Sequence, residues 1–275
     1  MGRDRCFRWS MNGKAHFFEL AGRFGMATLL GAVMLSVGCR PAASPDTAMS
    51  EAPASQAPET DSPPAAPDET RDPRADLTLT PVAIELPAPA FRGTPVPREV
   101  PFVEEPAGDP RPPFLAPKGT ENLARGKRVT SSDPAPRQGQ LDYVTNGDKE
   151  ATDFGVLELG PGTQWLQIDL EHSATLFGLV VWHQHAEARV YHDVVVQISD
   201  DPDFLEPVTV FNNDYNHTSG LGIGSDWGYV ETSEGRLIDC RGVEGRYVRL
   251  YSRGNHLDEF NHYTEVEVYG LPAVE

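Results

Sequence analysis

Short runs in which apolar and polar residues alternate recur through the second half of this chain, and no stretch there holds a helical period of any length. In "QWLQIDL" (164–170), Leu166, Ile168 and Leu170 share one face, and Trp165, Gln167 and Asp169 the other. Successive side chains of a strand point to opposite sides, so the pattern predicts a β-strand with one buried face. "LFGLVVWHQ" (176–184) reads as a nearly continuous apolar strand, and "DVVVQIS" (193–199), "VTVFNN" (208–213), "RYVRLYS" (246–252) and "YTEVEVYG" (263–270) continue the series. Turn signals such as "NGD", "SDDPD", "GLGIG" and "SRGN" separate them. Many short strands without helices predict an all-β fold, an antiparallel β-sandwich.

Proline divides the chain. Of 25 prolines, 19 fall between residues 40 and 117. That segment is dominated by Pro, Ala, Ser and acidic residues, which bury too little apolar surface to offset the entropy of ordering. Residues 39–117 are therefore expected to be a disordered, acidic linker, with a coil reach on the order of 50 Å. One stretch, "LTLTPVAIELPAPAF" (77–91), alternates; it reads as a sticky piece of linker, a short strand added to the edge of the folded part, or a partner-binding segment. Charge is uneven too: +3 over 1–39, −7 over 40–117 and −14 over 118–275. An acidic folded part without a basic stripe argues against nucleic acid and other anionic polymers as partners.

Five basic residues, Arg3 to Arg23, precede the apolar run "GMATLLGAVMLSVG" (25–38). Fourteen residues are too few to span a bilayer in a helix but fit the core of a secretion signal. "LSVGC" then resembles the lipobox of bacterial lipoproteins, with a departure: Ser36 stands where leucine is usual, and Leu35 is one place early. The resemblance implies a lipoprotein signal peptide over 1–38 and lipidation at Cys39, with a membrane anchor of more than one acyl chain. Arg40 after the cysteine suggests the outer membrane of a Gram-negative cell envelope. Of the three cysteines, only Cys240 lies in the expected folded part, so no disulfide forms within it.

"NLARGKRVTSS" (122–132), "VTNGDKEATDF" (144–154), "QWLQIDL", "ISDDPDF" (198–204), "GRYVRLYS" (245–252) and "YTEVEVYG", in this order, resemble successive signatures of the discoidin domain. This is the coagulation factor V/VIII type C domain, similar to family 32 carbohydrate-binding modules. The resemblance covers 118–271 and implies a galactose-binding-like jelly-roll. It also implies a structural calcium ion (Ca2+) held by the carbonyls of Tyr143, Asp148 and Thr264, the Asn146 side chain, Thr152 and the Glu265 carboxylate. Such an oxygen set suits a hard cation. Asn146 stands where the family commonly has aspartate, which removes a negative charge from the site.

"VVWHQHAEARVYH" (180–192) carries three of the eight histidines. His183 and His185 share a strand face, a spacing that would suit a metal, yet zinc needs further ligands and no HExxH, CxxC pair or GxSxG accompanies them. The preferred reading is a ligand pocket at the loop end of the sandwich. His185 and Arg189 would act as donors there, with Asn213, Tyr215 and Trp227 from one loop and Asn255 and His256 from a later one. Neutral sugars need such hydrogen-bond partners beside a flat apolar ring. The expected function is non-catalytic binding of a carbohydrate or other cell-surface ligand. A protein-binding adhesion module on the same fold, or a metal-dependent enzyme on the histidine cluster, are the alternatives.

Overall fold

A computed structural model describes residues 77–97, 99–106 and 108–272. The expected signal peptide, Cys39 and the linker up to residue 76 lie outside the described residues. The strands are β1 (Leu79–Pro81), β2 (Leu115–Pro117), β3 (Glu121–Asn122), β4 (Arg128–Ser131), β5 (Leu157–Leu159), β6 (Gln164–Trp182), β7 (Val195–Ser199), β8 (Val208–Asn212), β9 (Arg236–Ser252), β10 (Asn261–Tyr263) and β11 (Glu265–Pro272). Among the described residues the one helical element is a 3-10 turn at Leu141–Thr145. Among the described residues every pairing between these strands is antiparallel. The main sheet runs β3-β11-β6-β9-β7-β8 with β4 also on β6, and β5 pairs with β10. This is the antiparallel β-sandwich that the alternating runs predict.

β6 and β9 form the spine. Their register breaks between Asp169 and Ala174, where Glu171 takes a positive φ of 74°. Such a bulge bends a long ribbon and lets it wrap a core. Arg246 fixes the bend: its Nε and Nη2 donate to the two oxygens of Asp169 at 2.7 and 2.9 Å. The core takes the inward residues of the alternating runs, Leu166, Ile168, Leu179 and Val181 of β6, Val196 and Ile198 of β7, Val248 and Leu250 of β9, and Val266 and Val268 of β11. Cys240 is buried among them as a free thiol. Burial pushes its pKa up to about 12, so it stays protonated.

The linker boundary needs correction. Residues 77–117 were expected to be linker, but β1 pairs with β2, and the segment lies across the outer face of the main sheet as a strap. The reason is in β6. Phe177, Val180 and Trp182 face away from the core, and Val82, Ile84, Phe114 and Ala116 cover them. Fully burying each large side chain contributes about 1.5–3 kcal/mol, which holds the strap despite its few ladder bonds. Prolines limit those bonds because they lack the N–H. Gly178 permits the contact: a Cβ there would stand 2.4 Å from the Phe114 ring.

Candidate functional site

At one end of the sandwich, the loops 183–194, 213–230 and 253–260 meet the strap. Three aromatic rings lie exposed there, Phe102 (54%), Tyr215 (45%) and Trp227 (55%). The Phe102 ring centroid is 4.7 Å from Tyr215 and 6.2 Å from Trp227. Phe102 has a φ of 56°, a left-handed conformation that a bulky side chain rarely takes. Two backbone hydrogen bonds impose it: Gly228 N donates to Phe102 O, and Glu104 N to Gly228 O, both at 2.8 Å. Beside the rings is a cavity of about 250 Å³ lined by Phe102, Tyr215, Tyr191, His192, Asp193 and His256, among others.

The polar groups of this cavity are tuned by burial. Burial lowers the His192 pKa below its usual 6.5, against the raising effect of Asp193. Burial also raises the Asp193 pKa, against the Thr218 hydroxyl, which donates to its Oδ2 at 2.6 Å. The site therefore presents a neutral imidazole next to a carboxylate with raised proton affinity. Asp214 shapes the loop that carries Tyr215. Burial alone would raise its pKa, but hydrogen bonds from Ser219, Thr218 and Asn216 outweigh it and bring the pKa below 3.8.

The structure sorts the expected ligand residues into two groups. Tyr215, His256 and the buried Asn213 line the loop-end cavity, with Trp227 beside Phe102, although His256 Nδ1 accepts the Val190 N–H at 3.0 Å. Four, Asn213 among them, are occupied in holding the loops. Asn213 is buried, and its Oδ1 accepts from Val194 N at 2.7 Å. Asn255 is buried and donates to Asp258 Oδ1 and Phe260 O. Arg189 Nη1 donates to Asp258 Oδ2 at 2.5 Å, and Nη2 to Glu187 Oε2 at 2.7 Å. His185 is buried, with Nε2 2.8 Å from Lys149 O, so it ties the end of β6 to the 146–152 loop instead of facing a ligand. Phe102 is the residue that sequence reading missed. It lies in a proline-rich stretch with no periodicity, and only its φ and its ring neighbours mark it.

The histidine cluster does not converge. His183 is fully buried, its Nδ1 2.6 Å from Glu231 Oε1 and its ring stacked on Tyr191 at 4.3 Å. Among the described residues no group of three or more His, Cys, Asp or Glu side chains is arranged to hold a metal ion.

The expected calcium residues lie where the 141–155 segment meets β11. Tyr143 is in the 3-10 turn, its carbonyl accepting from Asn146 N at 3.4 Å. Asn146 Oδ1 accepts from Asp148 N at 2.7 Å, and Thr152 O accepts from Gly155 N at 3.1 Å. Thr264 N donates to Trp182 O, which leaves the Thr264 carbonyl outside that bond. Glu265 Oε2 accepts from Gly147 N at 2.9 Å, while its Oε1 is buried without a partner. Burial, with Glu267 adding, pushes the Glu265 carboxyl up to about 8. A buried carboxylate oxygen without a partner beside loop carbonyls fits a hard, oxygen-loving cation. Arg125 and Lys149 nearby act in the same sense as that cation but leave Oε1 unsatisfied.

No protein-family model and no curated protein matches the chain. Solved structures do. The family 32 carbohydrate-binding module of AlyQ, in complex with 4,5-unsaturated mannuronic acid, is 18% identical over 51% of this chain and 92% of its own, with a TM-score of 0.40. Chitosan-binding module 1 of a chitosanase/glucanase from Paenibacillus sp. IK-5 is 21% identical over 55% and 99%, with a TM-score of 0.37. A fucose-binding module from Streptococcus pneumoniae is 20% identical over 54% and 97%, with a TM-score of 0.38. A family 89 glycoside hydrolase from Clostridium perfringens also matches, but this chain spans only 15% of its length. The fold of this chain follows from its own strand pairing, and what these neighbours bind is said of them alone.

Proposed function

We propose that this chain is a non-catalytic binding protein of the cell envelope, whose β-sandwich holds a carbohydrate at the loop end. One observation carries the reading: two exposed rings, Phe102 and Tyr215, line a cavity that offers an imidazole, a carboxylate and a second histidine, and Trp227 lies beside Phe102. Exposed aromatic faces pack on the apolar side of a sugar ring, and neutral donors and acceptors take its hydroxyls. The acidic charge of the body favours a neutral or amine-bearing glycan over an acidic one. Cys39 carries the lipid, residues 40–76 lead from the membrane to the strap, and Glu265 with the 143–152 loop holds a structural calcium ion. Arrayed glycans provide the test. Trp227→Ala and Tyr215→Ala are each expected to abolish retention of the bound glycan while leaving the melting curve unchanged. If no glycan is retained and a protein partner insensitive to free sugars is captured instead, the adhesion reading replaces this one.

A further inference from the structure

Asn146 and Gly147 end the 3-10 turn, and the structure makes the glycine obligatory. Gly147 has a φ of 82°, and a Cβ there would run into the Arg125 guanidinium. Asn146 caps the turn: its N donates to Tyr143 O, and its exposed side chain accepts the Asp148 N–H through Oδ1 at 2.7 Å. Asparagine suits such a turn because its side chain bonds the backbone two residues on. Together the two residues form the dipeptide in which a side-chain amide is most easily lost, because glycine leaves the following nitrogen unshielded.

The reaction needs water and no other partner. The Gly147 nitrogen gives its proton to hydroxide and attacks the carboxamide carbon of Asn146. A C–N bond closes a succinimide ring, and the carboxamide nitrogen takes a proton from water and leaves as ammonia. Water then opens the ring to aspartate or to isoaspartate. The ring closes only when Asn146 Cβ and Gly147 N eclipse one another across the Cα–C bond. In the folded chain they do not: ψ at Asn146 is −11°, which sets Gly147 N against the Asn146 nitrogen instead. Glu265 holds it there, since Gly147 N donates to its Oε2 at 2.9 Å. Glu265 lies fully buried on β11, so the acceptor is fixed to the sheet. Turning ψ toward ring closure swings the Gly147 N–H away from that oxygen and breaks the bond.

We propose that Asn146 is a latent deamidation site and that the bond from Gly147 to Glu265 is its lock. The amide is lost only when the 141–155 segment lets go of β11. The change does not reverse, and it adds a negative charge to that junction, so the fraction converted records how often the junction has opened. Neither the loop-end site nor a bound ion enters this inference. Peptide mapping by mass spectrometry tests it, on full-length chain kept at pH 8 and 37 °C in EDTA. Trypsin releases residues 138–149 between Arg137 and Lys149, which separates the site from Asn12–Gly13. Conversion of Asn146 is expected to be roughly tenfold or more slower in the native chain than in guanidinium-denatured chain, as for a reaction that waits on local opening. Glu265→Ala, still folded by its melting curve, should speed it roughly two- to tenfold, the worth of one hydrogen bond. Equal rates in native and denatured chain overturn the proposal, and so does a native rate unchanged by Glu265→Ala. Should that variant fail to fold, hydrogen exchange at the Gly147 amide of the parent decides: protection supports the lock, and exchange at the rate of an open loop overturns it.

Discussion

Phe102 carries a bulky side chain in a conformation suited to glycine, at a cost of about 1–3 kcal/mol, and the surrounding backbone holds it there. Strain retained at an exposed ring is what a binding platform would use. Phe102→Gly is therefore expected to move two measurements in opposite directions. The melting temperature rises or holds, because the strain is relieved. Glycan affinity falls roughly tenfold, as for about 1.4 kcal/mol of lost contact. A joint fall of stability and affinity would reduce Phe102 to a structural role. His192 gives a second expectation. Burial keeps its folded pKa below 6.5, so below that pH the unfolded chain takes up a proton that the folded chain refuses, and stability is lost as pH falls. Asp193 acts oppositely: burial raises its folded pKa above 3.8, so the folded chain gains as pH falls toward that value. Asp214 and Asp258 have folded pKa values below 3.8; their stabilisation is full at neutral pH and fades as pH drops under that value. Glu265, pushed up to about 8, also gains for the folded chain between pH 7 and pH 5, so going from pH 7 to pH 5 should lower the melting temperature of His192→Asn less, or raise it more, than that of the parent chain. An equal difference would mean that this imidazole is not the group responsible.

The strap is an element built by side chains more than by ladder bonds. Its fit to β6 depends on a flat backbone at Gly178, which the Phe114 ring covers. Gly178→Ala should displace that ring and lower stability by about 1–3 kcal/mol, as overpacking does. Phe114→Leu in the same chain should recover part of the loss, since it frees the space the new methyl needs. A double-mutant cycle measures this coupling, and a sum of independent effects would show that the two residues do not press on one another. The same element shows what sequence could tell. The alternating runs mark β7 and β11 to within about two residues, because one face of each meets the core, but they cover only 246–252 of β9 and divide β6 into 164–170 and 176–184 at its bulge. The nearly continuous apolar run from Leu176 to Trp182 has its second face covered by the strap, and Val82 and Ile84 of that cover belong to the alternating stretch 77–91. The rest of the strap, 92–114, is proline-rich without such alternation, so its packing left no periodic signal. At the loop end the alternation says nothing about direction. Asn213, Asn255 and His185 turn inward to satisfy backbone groups, and only tertiary structure decides which way a loop side chain points.

Taken as one body, the sandwich closes where the 141–155 segment meets β11, and Glu265 is the joint. An ion bound there stabilises only the folded chain, so added calcium should raise the melting temperature, and a chelator should reverse the gain. Glu265→Gln should remove the response to calcium while leaving the metal-free protein no less stable at neutral pH, because the carboxyl it replaces is pushed up to about 8 and is itself mostly neutral there. A calcium response that persists in this variant would place the ion elsewhere.

β1 and β2 are joined antiparallel, with Leu79 opposite Pro117, so the chain enters and leaves this small ladder at the same end. A pull on residue 77 against the body at residue 118 would therefore open it like a zip, one rung after another. The excursion between the two strands includes Phe102, and it would slacken while the β-sandwich behind it kept its shape. Tension entering at residue 77 would thus reach the loop-end rings before the frame.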